Sequence, residues 1–226
     1  MSTIAQVRIP VTDFALRQTL PRVPDVSVEV TRLVAYETPH MMPFLWAIGG
    51  RLDDLEAALD DDGTVDDVDL LTEFEGERFY RMEWRSAIDL LTQALIHDDA
   101  AILNARGQAD AWHLRLLFDT QESFSNTRQF CVDQGLEMDI EQVHRLTQDN
   151  QRGHGLFGLT ERQYACLIHA LEAGYYEVPR ESSARDLAAD LDVSHQAVSE
   201  RLRRGHKNLI SNALVTAPYH EGSDEE

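Results

Sequence analysis

A segment near the C-terminus, DVSHQAVSERLRRGHK (residues 192–207), gathers side chains that suit contact with a polyanion. It contains Arg201, Arg203, Arg204 and Lys207 against two acidic residues. Arginine forms paired hydrogen bonds to a guanine edge, and glutamine forms them to an adenine edge. Arginine and lysine can each neutralise a backbone phosphate. The residue types therefore indicate nucleic-acid recognition.

Three helices are predicted around this basic segment. Thr160 and Gln163 form a capping box at the start of the first helix, and Gly174 ends it. Ser183 and Ser194 are the predicted caps of the second and third helices. The apolar face of the first helix is expected to contain Tyr164, Leu167, Ile168 and Leu171.

The second and third helices are joined by the short turn DVS, which is the arrangement of a helix-turn-helix. Asp192 takes the turn position where glycine is common, and aspartate tolerates the left-handed backbone required there. The predicted packing residues of the motif share apolar helical spacing: Leu187, Ala188, Leu191, Val193, Val198 and Leu202.

With Val198 and Leu202 turned inward, the opposite face of the third helix becomes the predicted DNA-contact surface. Its members are Ser194, His195, Gln196, Ser199, Glu200, Arg201, Arg203, Arg204 and Lys207. Gln196 and Arg203 are expected to contact base edges, each with a discrimination of roughly 1–3 kcal/mol. Ser194 and the helix N-terminus suit a phosphate. The alternative is a protein-interaction module with a solvated basic face.

The charge of the chain is distributed unevenly. The formal net charge is -20, from 40 acidic and 20 basic residues, and Lys207 is the only lysine. Residues 160–213 hold 8 acids and 7 bases, whereas residues 1–159 hold 28 acids and 13 bases. The change in composition indicates a domain boundary. The acidic, lysine-poor surface favours adaptation to high salt over an ordinary acidic protein.

Residues 1–146 alternate between strand and helix patterns, and the order of elements recurs. IAQVRIPV, DFALRQTL, VSVEVTRLVAYE, PFLWAIGG, RLDDLEAALDDD and VDDVDLLTEFEG read as β-α-β-β-α-β. The same order follows in ERFYRMEW, SAIDLLTQALIHD, the hairpin AAILNARGQADAWHLRLLFDT, QESFSNTRQFCVDQG and LEMDIEQVHRL. The predicted fold class is α+β: a tandem βαββαβ body of ferredoxin-like, ACT-like units packed as a pseudo-dimer, followed by a C-terminal all-α helix-turn-helix domain.

Four regions follow from these patterns. Residues 1–146 form the predicted sensor or dimerisation region, with a repeat boundary near residue 76, and residues 147–158 form a linker. Residues 159–213 form the helix-turn-helix domain, and residues 214–226 an acidic disordered tail. The linker contains GHGLFG, but no strand precedes it directly, so we do not expect a dinucleotide site.

No catalytic or metal-binding constellation is recognisable, so we expect no enzyme activity and no cofactor. Paired acids such as Asp53-Asp54 and Asp66-Asp67 suit a solvated surface, and the histidines lack ligand spacing. Cys131 and Cys166 are expected to be buried structural thiols, with redox activity as the alternative. The absence of an apolar run of about 18 residues and of a signal peptide favours a cytoplasmic protein without a membrane span.

Two parts of the chain resemble a known protein family. The segment LTERQYACLIHALEAGYYEVPRESSARDLAADLDVSHQAVSERLRR is similar to the helix-turn-helix of haloarchaeal bacterio-opsin activator-type transcription regulators. PFLWAIGG and LLTEFEGERFYRMEW resemble the domain that accompanies this helix-turn-helix in the family. The resemblance implies a one-component, sequence-specific regulator of transcription. It implies no light or oxygen sensing, because this sequence has no room for the PAS and GAF domains of some members.

The expected partners are double-stranded DNA, a second copy of the chain in a homodimer, and a small-molecule effector at the N-terminal repeats. Dimerisation is expected because helix-turn-helix proteins commonly bind paired half-sites. Two alternatives stay open. One is an adaptor that contacts the transcription machinery, and the other is a small-molecule sensor without direct DNA readout.

Overall fold

The computed structural model describes residues 2–36, 40–85, 100–146, 155 and 157–213, with side chains omitted for residues 32–36, 40 and 41. The chain divides into two compact units, Met1–Arg145 and Leu146–Glu226. The first contains an antiparallel sheet with helices and the second contains helices, so the fold is α+β overall. No helix in these described ranges is long and apolar enough to cross a membrane.

The described part of the first unit is built around one eight-stranded antiparallel sheet. Its strands are β1 Thr3–Pro10, β2 Ser27–Tyr36, β3 His40–Ile48, β4 Val65–Phe74, β5 Glu77–Trp84, β6 Ala101–Gln108, β7 Ala111–Phe118 and β8 Asp139–Arg145. The helices are α1 Thr19–Arg22, α2 Leu52–Asp60 and α3 Gln121–Asp133. The predicted helix at residues 86–98, with its cap at Ser86, lies outside the described residues.

The two repeats exchange their first strands. The sheet order is β4-β5-β3-β2-β6-β7-β1-β8, so β5 lies between β4 and β3, and β1 lies between β7 and β8. In a self-contained βαββαβ unit, the first strand would lie between the third and fourth strands of its own repeat. The prediction of two separately folded units packed together is therefore wrong in this respect. Residue 76 separates the two repeats along the chain, but each repeat contributes its first strand to the strands of the other.

A cluster of three aromatic side chains at the centre of the core joins the two repeats. Phe14 contacts Trp84 and Trp112 edge to face, with ring centroids 5.7 and 5.2 Å apart, and the tryptophans are 5.8 Å apart. The Trp112 indole N–H donates a 2.7 Å hydrogen bond to the Ala15 carbonyl. Because Phe14 follows β1 and Trp84 ends β5, the exchanged strands share one core.

The helix predicted at DFALRQTL is wrong in extent. A single 3-10 turn occupies Val11–Asp13, and α1 covers only Thr19–Arg22. Leu16 has φ +57°, which interrupts a helix at that residue. The Asp62 carboxylate accepts hydrogen bonds from the backbone N–H groups of residue 18 and Thr19, so a distant side chain sets the start of α1.

The second unit contains three described helices, α4 Glu161–Glu172, α5 Ala184–Asp190 and α6 His195–Ala213. Their common core consists of Cys166, Ala170, Leu187, Ala188, Val198 and Leu202. The predicted apolar face of α4 is therefore partly wrong, since Leu171 is 57% exposed and Tyr164 38% exposed. From α4, the small side chains of Cys166 and Ala170 are the ones buried in this core.

Candidate DNA-binding site

The site is supported by close packing of α4 against α6. A Cβ on Gly205 would lie 2.9 Å from Leu167 Cδ1, and Gly205 itself is buried. Val198, Leu202 and Gly205 follow the i, i+4, i+7 spacing of one helix face. This packing holds α6 by its buried face and leaves the opposite face of the helix exposed.

The predicted helix starts are confirmed. The Gln163 N–H donates to Thr160 Oγ1 at 3.3 Å and the Thr160 N–H to the Gln163 side chain at 3.0 Å, which completes a capping box. Ser183 forms a second capping box, with Asp186. The Ala197 N–H donates to Ser194 Oγ at 3.1 Å, so Ser194 caps the start of α6 as predicted.

The turn between α5 and α6 has the geometry that the sequence indicates. Asp192 has φ +50°, the left-handed conformation expected for its position. The Val193 N–H donates to the Ala188 carbonyl at 3.0 Å, and the Asp192 N–H donates to the Ala189 carbonyl at 3.2 Å. These two bonds are those of a Schellman motif, so α5 ends at a defined angle before α6 begins.

The predicted DNA-contact residues lie together on α6 and at its cap. Exposed are Ser194, His195, Gln196, Ser199, Glu200, Arg203, Arg204 and Lys207. Gln196, Arg203 and Lys207 lie at i, i+7 and i+11, opposite the buried Val198 and Leu202, because residues two apart on a helix point about 200° apart. The arrangement forms one continuous polar face, which we call the reading face.

Three of the predicted contact residues have other interactions. Arg204 Nη2 forms an ion pair with Glu200 Oε1 at 2.6 Å, one helical turn away. Both side chains are more than half exposed, so the pair is weak and can separate when a phosphate competes. Arg201 is half-buried and lies about 140° around the helix from Gln196, towards the core, where its charge acts on the Cys166 thiol.

The titratable groups near the core have structural explanations. Burial raises the pKa of the Cys166 thiol, although the positive charge of Arg201 opposes this shift. Cys131 and Cys166 are both free and buried, as predicted. The Ser183 hydroxyl and backbone N–H hold the pKa of Asp186 below its usual value, consistent with its role in the capping box. Among the described residues, no cluster of three or more His, Cys, Asp or Glu residues could hold a metal ion.

The loop between α4 and α5 contacts α6 in a way that local sequence patterns do not predict. The Tyr176 hydroxyl is hydrogen-bonded to His206 Nε2 at 2.9 Å, which ties this loop to the middle of α6. Such patterns also do not predict two amide contacts, from Asn208 to the Gly158 carbonyl and from Asn212 to the Phe157 carbonyl, at 2.9 and 3.1 Å. Polar residues on the flanks of α6 were the available signal, but their long-range partners are not encoded locally.

Comparison with known proteins supports a DNA-binding role for the helices of the second unit. Residues 159–211 match the family described as HTH DNA binding domain. The chain is 36% identical over 86 residues to a dimethyl sulfoxide reductase transcriptional activator from Halobacterium salinarum, an alignment that covers 35% of this chain and 38% of that protein. It is 29% identical over 163 residues to the transcriptional regulator NarO from Haloferax volcanii, covering 66% of this chain and 74% of NarO.

The first of these alignments spans less than half of the relative's length, whereas the second extends well beyond the helix-turn-helix. Together with the matched domain, they favour DNA binding over the adaptor and over a sensor without DNA readout. Residues 159–211 therefore form a helix-turn-helix DNA-binding domain, and the comparisons support the resemblance to haloarchaeal bacterio-opsin activator-type transcription regulators.

Proposed function

We propose that this chain regulates transcription by placing α6 in the major groove of a specific DNA sequence. The observation that carries the proposal is the reading face. Gln196 and Arg203 are exposed on the same face, two turns apart, of a helix that Val198, Leu202 and Gly205 hold in place from behind. A helix presented in this way is the recognition element of helix-turn-helix proteins.

Roles within the reading face follow from side-chain chemistry. Gln196 and Arg203 carry the planar, two-pronged groups that pair with adenine and guanine edges. Backbone phosphates are assigned to residues with a cation or a capping hydroxyl, namely Ser194, Arg201, Arg204 and Lys207. His195, Ser199 and Glu200 flank the base-reading pair and contribute to the choice of sequence.

The acidic body restricts the conditions under which this binding operates. The Debye length is about 10 Å at 0.1 M salt and about 3 Å at 1 M, so molar salt removes most of the repulsion between acidic residues and phosphates. The same salt weakens the counterion release that favours phosphate contacts. Binding at high salt therefore relies on close hydrogen bonds from few residues, which suits a near-neutral helix-turn-helix unit on an acidic chain.

We also propose that residues 1–146 dimerise the chain and bind a small-molecule effector. The regulator is proposed to act in the cytoplasm, where DNA is accessible. A dimer would present two reading faces to two half-sites. The exchanged strands support a stable scaffold for such a role, because they join both repeats into one core. Light scattering at molar KCl that gives a monomer, with and without operator DNA, would remove the dimer from the proposal.

The experiment that tests the proposed function is selection of DNA from a genomic library. The purified chain is incubated at molar KCl with fragmented haloarchaeal DNA, beside an Arg203→Ala/Arg204→Ala variant, and the retained fragments are sequenced. We expect discrete promoter-proximal peaks that disappear in the variant. Retention of DNA without enriched positions, equal in both proteins, would contradict sequence-specific reading.

A further inference from the structure

The loop between α4 and α5, residues 175–182, lies beside the reading face and is held in a fixed conformation. The N–H groups of Glu177 and Glu181 both donate to the Gly174 carbonyl, at 3.2 and 3.1 Å. Gly174 has φ +71°, and a Cβ at this position would lie 2.7 Å from Glu181 Cβ. Glycine is therefore required where the loop closes on itself, and the base of the loop is rigid.

The position of the loop is set by one contact with α6. The Tyr176 hydroxyl bonds His206 Nε2 at 2.9 Å, and their ring centroids are 5.6 Å apart. His206 is three residues after Arg203, so the two side chains point about 60° apart around the helix axis. The loop therefore stands at the flank of the reading face, level with the helical turn that contains Arg203 and Lys207.

Arg180 is the cation that this loop presents. Its guanidinium lies 4.9 Å from the centroid of the Tyr175 ring, in a cation–π contact that restricts its position without neutralising it. Within the part of the chain that the structure describes, Arg180 forms no ion pair with a carboxylate. The Glu181 carboxylate lies instead at the base of the loop, beside Gly174.

No element in the described part of the chain covers the tip of the loop. Val178 is 97% exposed. Its neighbours Glu177 and Arg180 are also exposed. An exposed tip on a rigid base, next to the helix that is proposed to read DNA, is suited to contact the same ligand as that helix.

We propose that the loop of residues 175–182 is a second DNA-contacting element, in which Arg180 neutralises a backbone phosphate beside the half-site read by α6. This inference rests on the proposed function, because it requires α6 to lie in the major groove. Tyr176 is a positioning residue, since it acts by holding the loop against His206 and not by touching DNA.

The test measures the salt dependence of binding to the selected operator. For the full chain, the logarithm of the association constant is measured against the logarithm of KCl concentration. Arg180→Gln should reduce the magnitude of the slope by about 1, the value for one lost phosphate contact, and should weaken binding equally across operator variants. Arg180→Lys, which keeps the charge, should restore most of the slope.

Two further variants serve as controls. Arg162→Gln removes the same charge from α4, whose Leu167 packs on the buried side of α6, and it should leave the slope unchanged. Glu177→Gln removes an acid from the loop and should strengthen binding at the lowest KCl concentration, because Glu177 would then no longer repel the backbone. Circular dichroism of each variant establishes that the fold is retained.

The outcomes separate this inference from the proposed function. A slope that is unchanged in Arg180→Gln, while Arg203→Ala abolishes operator preference, would overturn the loop contact and leave the reading face intact. An equal loss in Arg180→Gln and Arg162→Gln would also overturn it, since the effect would then be one of overall charge. If the unmodified chain shows no preferred sequence, the proposed function fails first.

Discussion

Asp62 binds Thr19 twice: Oδ2 accepts the backbone N–H and the hydroxyl of Thr19, each at 2.8 Å. Its other oxygen, Oδ1, accepts the N–H and the hydroxyl of Thr64, at 2.9 and 2.6 Å. Asp62 is only 3% exposed, so the carboxylate forms a buried junction between α1 and the turn after α2. This junction positions the segment that contains the core residue Phe14.

We predict that Asp62→Ala lowers the free energy of unfolding of the body by about 2–4 kcal/mol, because several buried donors lose a charged acceptor. All three tryptophans lie in the body, so tryptophan fluorescence during urea unfolding at molar KCl reports this change. Asp61→Ala is the matched control. Asp61 pairs with Arg22 at the exposed surface, and its loss should cost less than about 1 kcal/mol. Equal effects of both variants would contradict a special role for Asp62.

The same junction predicts a pH dependence. Burial alone would raise the pKa of Asp62, but the hydrogen bonds from Thr64 and Thr19 outweigh burial and hold the pKa below its usual value of 3.8. The contribution of the carboxylate to stability is therefore fully present above the unfolded-state pKa, about 4, and is lost as the pH falls through the lower folded-state pKa.

We expect the difference in unfolding free energy between the unmodified chain and Asp62→Asn to be constant from pH 7 to about pH 5 and to shrink below about pH 4. Urea unfolding at a series of pH values measures it. A difference that grows on acidification would contradict the assigned direction of the pKa shift.

The exchange of β1 and β5 predicts that neither repeat folds alone. A fragment of residues 1–76 lacks β5, and so leaves a gap between β4 and β3, while a fragment of residues 77–146 lacks β1 between β7 and β8. We expect each fragment to be unfolded or aggregated, and the mixture to regain sheet signal in circular dichroism. A well-folded, monomeric single fragment would show that the repeats are independent.

The turn of the helix-turn-helix predicts a graded response at residue 192. Asp192→Val should lower the melting temperature and cost about 1–2 kcal/mol, because a branched side chain disfavours the left-handed backbone at φ +50°. Asp192→Asn removes the same charge but tolerates that backbone, and should be close to neutral. Asp192→Gly should be neutral or stabilising. Far-ultraviolet circular dichroism measures the melting, and equal losses in the valine and asparagine variants would refute the strain argument.

Local features of the helix-turn-helix unit could be predicted from the sequence because their determinants are close in the chain. The caps at Thr160, Ser183 and Ser194 each involve residues three positions apart. The left-handed Asp192 follows from turn chemistry at one residue. The apolar and polar faces of α6 could also be predicted, because the residues of both faces lie within one continuous segment.

The remaining features depend on contacts between distant residues. β1 and β5 have similar alternating patterns, so the pattern of either strand does not predict whether it pairs with strands of its own repeat or of the other. The short α1 depends on Asp62, more than 40 residues away. On α4, apolar periodicity predicts Leu171 in the core, but Leu171 is 57% exposed and Ala170 is buried instead, because the rotation of α4 is set by its packing on α6.

In the proposed complex, α6 reads bases through Gln196 and Arg203 and contacts phosphates through Lys207. The most direct measurement is the affinity of the full chain at molar KCl for its selected operator and for all single-base variants of it. We predict that Gln196→Ala and Arg203→Ala each flatten the preference at one base pair by roughly 1–3 kcal/mol, while Lys207→Gln weakens all sequences equally. Unchanged base preference in both the Gln196 and Arg203 variants, with full affinity retained, would contradict the account.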